Sequence, residues 1–192
     1  MSSTEKHRHF KLYKPFGYLS QFINNQNKRR NKKLLSSLIE TPENLMAIGR
    51  LDEKSEGLLL LTTDGKISEY IRSSKVDKEY YAMVDGLITS KDIDKLKQGV
   101  EISVDGKPYT TKPCEASLLD APSNIHKRFV RDEKHGPTSW LSITLNEGKF
   151  RQVRKMTAAL NFPTLRLIRV RIGDIKIENL QPGDVEEIHI TL

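Results

Sequence analysis

Gly49-Arg50-Leu51-Asp52 contains a charged pair, Arg50 and Asp52. It is followed by the polar segment Glu53-Lys54-Ser55-Glu56 and then by an uninterrupted aliphatic run in Gly57-Leu58-Leu59-Leu60-Leu61-Thr62. That run predicts a buried strand over 57–63, and residues 45–48 predict a shorter strand before the stretch. Arg50 and Asp52 therefore lie at a strand end, where a rigid sheet can present side chains to a cleft. An ionised Asp52 can act as nucleophile or general base; alternatively, it caps the following turn.

Strands and helices alternate along the rest of the chain without a regular strand–helix–strand rhythm. Further strands are predicted at 8–13, 79–84, 100–104, 109–119, 139–145, 164–172, 175–177 and 186–191. Helices are predicted at 34–39 and over 150–160. A third helix is predicted after Asp64-Gly65, with Ile67, Tyr70 and Ile71 on one face, and a fourth begins at a cap at Ser90. Three Asp-Gly pairs favour turns between antiparallel strands. These features predict an α+β fold with a mostly antiparallel sheet.

Length and composition exclude several classes of protein. The chain has 192 residues, enough for one domain or for two small lobes that share a core. No apolar run approaches the roughly 18–20 residues that span a bilayer, and the polar N-terminus lacks a secretory signal. A single cysteine, Cys114, excludes a disulfide framework, so a cytoplasmic protein is expected. The histidines form no metal-binding pair. Glycine patterns for nucleotide binding are absent, so no nucleotide cofactor is predicted.

Positive charge is concentrated in two zones of the chain. The formal net charge is +7, and residues 1–40 hold an excess of basic residues that includes the run at 28–33. This run belongs to a polar segment, 24–33, that predicts an exposed loop. Residues 149–171 contain seven basic residues and no acidic one. Two local basic zones favour a polyanionic partner, nucleic acid first, over the alternative of a charge that serves solubility.

Two segments could contact such a partner directly. On the helix over 150–160, Val153, Met156 and Leu160 share one face, whereas Arg151, Arg154 and Lys155 share the other. Lys155 has no acidic partner four residues away, which favours phosphate binding by this face over a solvated surface. In a second segment, Lys78-Glu79-Tyr80-Tyr81, a tyrosine at a strand start can stack on a base or simply pack in the core.

Four segments occur in the order and with the spacing of a known set of motifs: Lys14-Pro15-Phe16-Gly17-Tyr18-Leu19-Ser20, 49–62, Lys78-Glu79-Tyr80 and 147–156. Together they resemble the pseudouridine synthases, in the branch that modifies ribosomal RNA and small structured RNAs. The resemblance implies a catalytic domain over 10–192, with two lobes that share one sheet and a central RNA-binding cleft. It further implies a flexible N-terminus at 1–9 and no S4 RNA-binding module.

The resemblance also assigns roles to individual residues. Asp52 matches the catalytic aspartate, Tyr80 the active-site tyrosine and Lys149 the basic partner of the aspartate. Many relatives have arginine at the position of Lys149, and a lysine cannot form a bidentate pair with a carboxylate. A carboxylate in a desolvated pocket needs such a cation to stay ionised. The residues expected to hold RNA are Lys14, Arg50, Arg151, Arg154 and Lys155.

The implied reaction isomerises a uridine within RNA. The N1–C1′ bond breaks, the uracil turns, and C5 joins C1′, with Asp52 either attacking C1′ or removing the 2′ proton. The target base must first be flipped out of its helix, at a cost of a few kcal/mol. Neither electrons nor phosphoryl groups are transferred, so the resemblance implies no cofactor and no metal.

Within the family, residues 137–169 most resemble the E-type members that act on large-subunit (23S) ribosomal RNA. The expected partner is therefore ribosomal RNA, free or in a precursor particle, bound by a monomer without membrane contact. Two other functions are compatible with the same sequence features. One is a non-catalytic RNA-binding or ribosome-assembly protein, and the other is a glycoside hydrolase that pairs Asp52 with Glu53 or Glu56.

Overall fold

The computed structural model describes residues 7–23, 31–40 and 42–191. Its strands are β1 (His9–Lys14), β2 (Met46–Ala47), β3 (Glu56–Thr62), β4 (Lys78–Asp85), β5 (Glu101–Val104), β6 (Lys107–Thr110), β7 (Glu115–Leu119), β8 (Thr138–Leu145), β9 (Thr164–Ile172), β10 (Ile175–Lys176) and β11 (Val185–Ile188). Its α-helices are α1 (Gly65–Arg72), α2 (Ser90–Gln98) and α3 (Gln152–Ala159), and short 3-10 helices lie at Leu35–Ser37 and Glu133–His135.

One large sheet organises these elements. Its strand order is β11-β1-β3-β9-β4-β8-β7, with β2 added to β3 and β10 added to β9. Among the described strands, only β3 and β9 pair in parallel, and the other pairs are antiparallel. The predicted α+β fold with a mostly antiparallel sheet is therefore confirmed.

The parallel contact between β3 and β9 joins two halves of the sheet, each with its own core. Gly57 makes this contact possible, because a Cβ atom there would lie 2.4 Å from the Arg169 carbonyl oxygen. On one side, β4, β8 and β9 pack against α2 and α3. On the other, apolar residues of β1 and β3 pack against α1 and against the segment around Leu35. The cleft described below lies where these two halves meet.

Several sequence predictions need correction at the ends of elements. Helix α2 is capped by Thr89 instead of Ser90, because Thr89 forms a reciprocal capping box with Asp92. On α1, Tyr70 is exposed, although Ile67 and Ile71 are buried as predicted.

The ends of the chain also differ in part from prediction. His9 begins β1 and is buried, so it does not belong to a flexible N-terminus. Residues 1–6, and the part of the basic run at Lys28–Arg30, lie outside the described residues. Within the described part of the chain, no helix has the length and apolar character required to cross a bilayer, and no cluster of side chains could hold a metal ion.

Candidate active site

A cleft of about 360 Å³ lies between the turn before β3, the end of α1, strands β4 and β9, and the turn before α3. This volume falls within the range of about 300–1,000 Å³ that is typical of ligand sites. Its charged lining consists of six basic and two acidic residues, namely Arg50, Arg72, Lys78, Lys149, Arg151, Arg169, Asp52 and Glu147. The excess of positive charge favours an anionic ligand.

Asp52 lies in a turn that hydrogen bonds fix from two directions. The Ser55 backbone N–H donates to the Asp52 carbonyl oxygen at 3.0 Å. On the other side, the Ser20 hydroxyl accepts from the Leu51 backbone N–H at 2.9 Å and lies 3.0 Å from the Leu51 carbonyl oxygen. The Gly17 backbone N–H donates to the Glu53 carbonyl oxygen at 2.8 Å. The first motif, residues 14–20, therefore supports the turn that carries Asp52.

The carboxylate of Asp52 is held through only one of its oxygens. Arg151 Nη1 donates to Oδ2 at 3.0 Å, and Arg154 Nε lies 3.4 Å from the same oxygen. Ser55 Oγ is 3.5 Å from Oδ2. Within the part of the chain that the structure describes, Oδ1 accepts no hydrogen bond, and the side chain is 18% exposed. Asp52 thus has one oxygen fixed by cations and one available for chemistry.

Arg154 connects Asp52 to the surrounding backbone. Its Nη2 donates to the Lys54 carbonyl oxygen at 2.9 Å and to Ser55 Oγ at 3.2 Å, and its Nη1 donates to the Thr164 carbonyl oxygen at 3.2 Å. The side chain is only 11% exposed. The prediction that Arg154 holds phosphate on an open helix face is therefore wrong, because protein atoms already occupy its guanidinium.

Arg151 differs from Arg154 in its backbone and in its exposure. It precedes α3 in a left-handed conformation with φ of 54°, which is uncommon for a residue with a side chain. The following residue, Gln152, donates to Glu147 and accepts from the Lys149 backbone N–H, so this turn is internally bonded. The Arg151 side chain is 38% exposed and contacts Asp52 from the cleft side.

Glu147 is the acidic residue that secures this turn. Burial by itself favours the neutral carboxyl, but hydrogen bonds from the Tyr109 hydroxyl, the Lys112 backbone N–H and the Gln152 side chain outweigh it. Together they hold the pKa of Glu147 below its ordinary value. Glu147 therefore remains an anion that acts as a structural acceptor at the edge of the cleft.

Lys149 is not the cation that pairs with Asp52. It lines the cleft, but its Nζ lies 4.8 Å above the centre of the Tyr109 ring, and the cations beside Asp52 are Arg151 and Arg154. The predicted Asp52–Lys149 pair is thus corrected. The left-handed turn at Arg151 redirects the chain, so the residue next to Asp52 is two positions later than the motif suggested.

Two other predicted RNA contacts do not reach the cleft surface. Lys14 is fully buried, and its Nζ donates to the carbonyl oxygens of Pro15 at 3.0 Å and Tyr18 at 2.7 Å. Burial lowers the pKa of Lys14 to about 8, although nearby carboxylates oppose this effect. Lys155 Nζ donates to the Ser103 carbonyl oxygen at 2.7 Å. Lys14 is therefore a buried residue of the first motif, and Lys155 ties α3 to β5.

Tyr80 and Arg50 lie where the sequence predicted, at the cleft. Tyr80 is half-buried on β4, opposite Ile143 of β8 and Arg169 of β9. Arg50 is exposed and follows Gly49, whose φ is 71°. Five of the predicted site residues therefore share the cleft lining: Arg50, Asp52, Tyr80, Lys149 and Arg151.

The carboxylates needed by a glycoside hydrolase are engaged elsewhere. Glu53 forms an ion pair with Lys32. Glu56 is buried, accepting from Arg166 Nε at 2.7 Å and from Arg128 Nε at 2.9 Å. Neither is part of the cleft lining, so the proposed pairing of Asp52 with Glu53 or Glu56 is not present.

Three cations of the lining were not singled out from the sequence: Arg72, Lys78 and Arg169. Lys78 belongs to a motif that drew attention only to its tyrosine. The signal for Arg169 was the strand 164–172, in which arginines interrupt an otherwise apolar run. A charged residue on such a strand needs a partner inside the protein or a ligand.

Comparisons with known proteins agree on one family. A family model described as RNA pseudouridylate synthase matches residues 8–159. The chain is 42% identical over 180 residues to the ribosomal large subunit pseudouridine synthase E of Vibrio parahaemolyticus, across 92% of this chain and 72% of that protein. It is 39% identical over 175 residues to the protein of the same name from Xanthomonas axonopodis pv. citri, across 89% of this chain and 88% of that protein.

Solved structures support the same fold. A crystal structure of a pseudouridylate synthase superposes with a TM-score of 0.76 at 25% identity, across 98% of this chain and 73% of that chain. A chain from an H/ACA RNP bound to a substrate RNA containing 2′-deoxyuridine superposes with a TM-score of 0.54 at 19% identity, across 88% of this chain and 48% of that chain. The second likeness shows the fold alone.

Proposed function

This chain belongs to the RNA pseudouridylate synthase family, whose reaction isomerises uridine to pseudouridine in RNA, and we propose that its substrate is large-subunit (23S) ribosomal RNA. Support comes from four relatives, 38–42% identical to this chain, that are named as ribosomal large subunit pseudouridine synthase E. The single observation that carries the proposal is that these matches extend over about nine-tenths of the chain, well beyond the catalytic motifs.

We propose Asp52 as the catalytic carboxylate. Its Oδ2 is held by Arg151 and Arg154, whereas Oδ1 accepts no hydrogen bond from the described residues. Oδ1 can therefore attack C1′ or remove the 2′ proton, while the two cations hold the carboxylate in place. Arg154 acts as a positioning residue, because its bonds to the backbone at Lys54 and Thr164 fix the distance between Asp52 and the sheet.

Arg50 and Tyr80 are proposed to handle the flipped base. Flipping costs a few kcal/mol, and an exposed cation next to the catalytic turn can offset this by filling the vacated space or by binding the adjacent phosphate. Tyr80 lies half-buried in the cleft, where stacking on uracil is worth about 1–3 kcal/mol. Its hydroxyl is then positioned to assist removal of the C5 proton.

The rim of the cleft is also positively charged. Arg151 and Lys149 at the rim of the cleft supply positive charge for the RNA backbone. The isomerisation transfers neither electrons nor phosphoryl groups, so we propose that it proceeds without a cofactor. We also propose that the protein acts as a monomer, in the cytoplasm, on free ribosomal RNA or on a precursor particle.

The test is a reaction with unmodified 23S ribosomal RNA, read out by carbodiimide-based mapping of pseudouridine. We expect the wild type to form pseudouridine at one position and Asp52→Asn to lose at least about 10⁴-fold in rate, because an amide can neither attack C1′ nor accept the proton. Asp94→Asn is the matched control, since Asp94 lies on the exposed face of α2.

The possible results separate three outcomes. No pseudouridine in 23S ribosomal RNA with the wild type would overturn the proposed substrate. Substantial activity of Asp52→Asn would overturn the proposed role of Asp52. RNA binding by Asp52→Asn that stays within a few-fold of the wild type would show that the loss is chemical.

A further inference from the structure

Arg169 is a buried cation on the wall of the cleft. It lies on β9, is 5% exposed and belongs to the cleft lining. Its register partner on β4 is Tyr80. Directly opposed residues of antiparallel strands project to the same face with their Cβ atoms about 5 Å apart. A base stacked on Tyr80 would therefore lie within reach of the Arg169 guanidinium.

The guanidinium of Arg169 is incompletely bonded. Its Nε donates to the Leu58 carbonyl oxygen at 2.8 Å, while its Nη2 is buried without a hydrogen-bond partner. Among the described residues, Arg169 forms no ion pair with a carboxylate. Arginine stays protonated in proteins, so this is a buried charge that the protein alone does not neutralise.

The neighbour Arg166 shows what a purely structural arginine on this strand looks like. It is similarly buried, at 4%, but its Nε donates to Glu56 at 2.7 Å and its Nη2 donates to the His126 carbonyl oxygen at 2.8 Å. Arg166 therefore has an acid and a backbone acceptor, whereas the described residues offer Arg169 only the Leu58 carbonyl. The difference indicates that Arg169 is arranged to meet a ligand.

A second cation of the cleft lining lies near Arg169. Lys78 is close enough to repel it, and burial together with Arg169 lowers the pKa of Lys78 to about 8, although Asp77 opposes this effect. Gly57 fixes the backbone, because it allows β3 to approach the Arg169 carbonyl closely. The cleft wall thus holds Arg169 and Lys78 beside Tyr80, which favours negative charge at this position.

We propose that Arg169 donates a hydrogen bond to a carbonyl oxygen of the flipped uracil and stabilises the negative charge that forms on this base during the reaction. The inference deepens the proposed function and rests on it. When N1–C1′ breaks, both bonding electrons leave with the uracil, and the charge spreads from N1 to O2 and O4. A fixed cation at these oxygens stabilises the transition state more than the neutral base.

The electron balance holds for both routes at the sugar. If Asp52 attacks C1′, its oxygen replaces N1 and a glycosyl ester forms. C5 of the rotated base later attacks C1′, and the Asp52 carboxylate leaves. If Asp52 removes the 2′ proton, the sugar becomes an enol ether, and the proton returns when C5 joins C1′. In each route the C5 proton is then lost and N1 gains a proton, so the product is an isomer. The uracil is an anion between the two bond changes in both cases.

The test compares leaving groups in single-turnover reactions. The substrates are RNAs with uridine or 5-fluorouridine at the target position, since fluorine stabilises the uracil anion. Wild type, Arg169→Met and Arg169→Lys are assayed for consumption of the target nucleotide, with Asp94→Asn on the exposed face of α2 as a control. We expect Arg169→Met to lose about 10²–10³-fold with uridine, with little change in RNA affinity, and Arg169→Lys to lose less.

The decisive result is the dependence on the leaving group. If Arg169 stabilises the anion, the defect of Arg169→Met shrinks at least about tenfold with 5-fluorouridine. An equal defect with both nucleotides would assign Arg169 a structural role and overturn the inference. The assay uses whichever RNA the wild type modifies. Failure of the 23S proposal is therefore seen in the wild type, whereas failure of this inference is seen in the variant ratio.

Discussion

Asp52 and Glu56 are four residues apart, and each is paired with two arginines, yet the two clusters differ in solvent access. The Asp52 side chain is 18% exposed and its partner Arg151 is 38% exposed. The Glu56 side chain is 3% exposed and its partner Arg166 is 5% exposed. The same set of charges is therefore open to a cleft in one case and largely buried in the other, where only Arg128, at 25%, is substantially exposed.

The bonding of the two carboxylates differs in the same direction. Both oxygens of Glu56 are used, Oε2 by Arg166 and Oε1 by Arg128. All the described bonds to Asp52 converge on Oδ2, which leaves Oδ1 available. Complete bonding stabilises structure, whereas incomplete bonding beside a cleft supports chemistry. Glu56 is therefore bonded as a structural carboxylate, whereas Asp52 keeps one oxygen available for the proposed chemistry.

The largest effect on folding is expected from Glu56→Gln. Arg166 and Arg128 would keep their charges without a carboxylate, and breaking a buried pair in this way costs about 3–5 kcal/mol. The free energy of unfolding, measured by urea denaturation, should fall by that amount. Asp52→Asn should lower it by no more than about 1 kcal/mol, because its cluster is in part solvated.

A matched control is Glu187→Gln. Glu187 pairs with Arg8 on the surface and is 51% exposed, so we expect a much smaller loss than for Glu56→Gln. If Glu56→Gln were no more destabilising than Glu187→Gln, the buried cluster would not support the fold. The proposed difference between Glu56 and Asp52 in their contribution to stability would then be wrong.

The two arginines of the Asp52 cluster should separate kinetically. Arg154→Met removes the bonds to Lys54 and Thr164, and a displacement of about 1 Å at the reacting group can cost 10²-fold. We therefore expect kcat to fall about 10²-fold with a small change in KM. Arg151→Met leaves those bonds intact and removes an exposed cation, so we expect KM to rise and the slope of affinity against salt to fall by about one.

Steady-state kinetics at several salt concentrations provide the measurement. Arg151→Lys and Arg154→Lys serve as charge-preserving controls. A salt slope that changes with Arg154→Met but not with Arg151→Met would reverse the assignment of positioning and RNA-binding roles.

Most strands and helices of this fold could be predicted from local patterns. The aliphatic run 57–61 and the alternation in 139–145 correspond to β3 and β8, because burial of apolar residues governs both. Motif resemblance placed Asp52, Arg50 and Tyr80 at the cleft. These residues lie on rigid strands or next to them, so their positions follow from the backbone path.

The partners of Asp52 could not be predicted in the same way. Because Arg151 has a left-handed backbone conformation, α3 begins only at Gln152. The three basic side chains at 151, 154 and 155 are therefore not arranged as they would be on a helix over 150–160. The direction of Lys149 is set by the turn, and the burial of Lys14 is set by its contact with carbonyl oxygens in its own loop. Both depend on contacts between segments, which residue spacing does not encode.

Lys14 provides the smallest and most specific test, because Glu56 and Asp52 both act on it electrostatically. Burial lowers the pKa of Lys14 to about 8 in the folded protein, against an ordinary value of 10.5. Between these values the unfolded chain binds more protons, so the free energy of unfolding rises with pH. Relative to Lys14→Met, the wild type should gain about 1–2 kcal/mol between pH 8 and pH 9.5 in urea denaturation. A difference between the two proteins that stays constant over this range would show that Lys14 is not desolvated, and that the two carboxylate clusters are not linked through a buried cation.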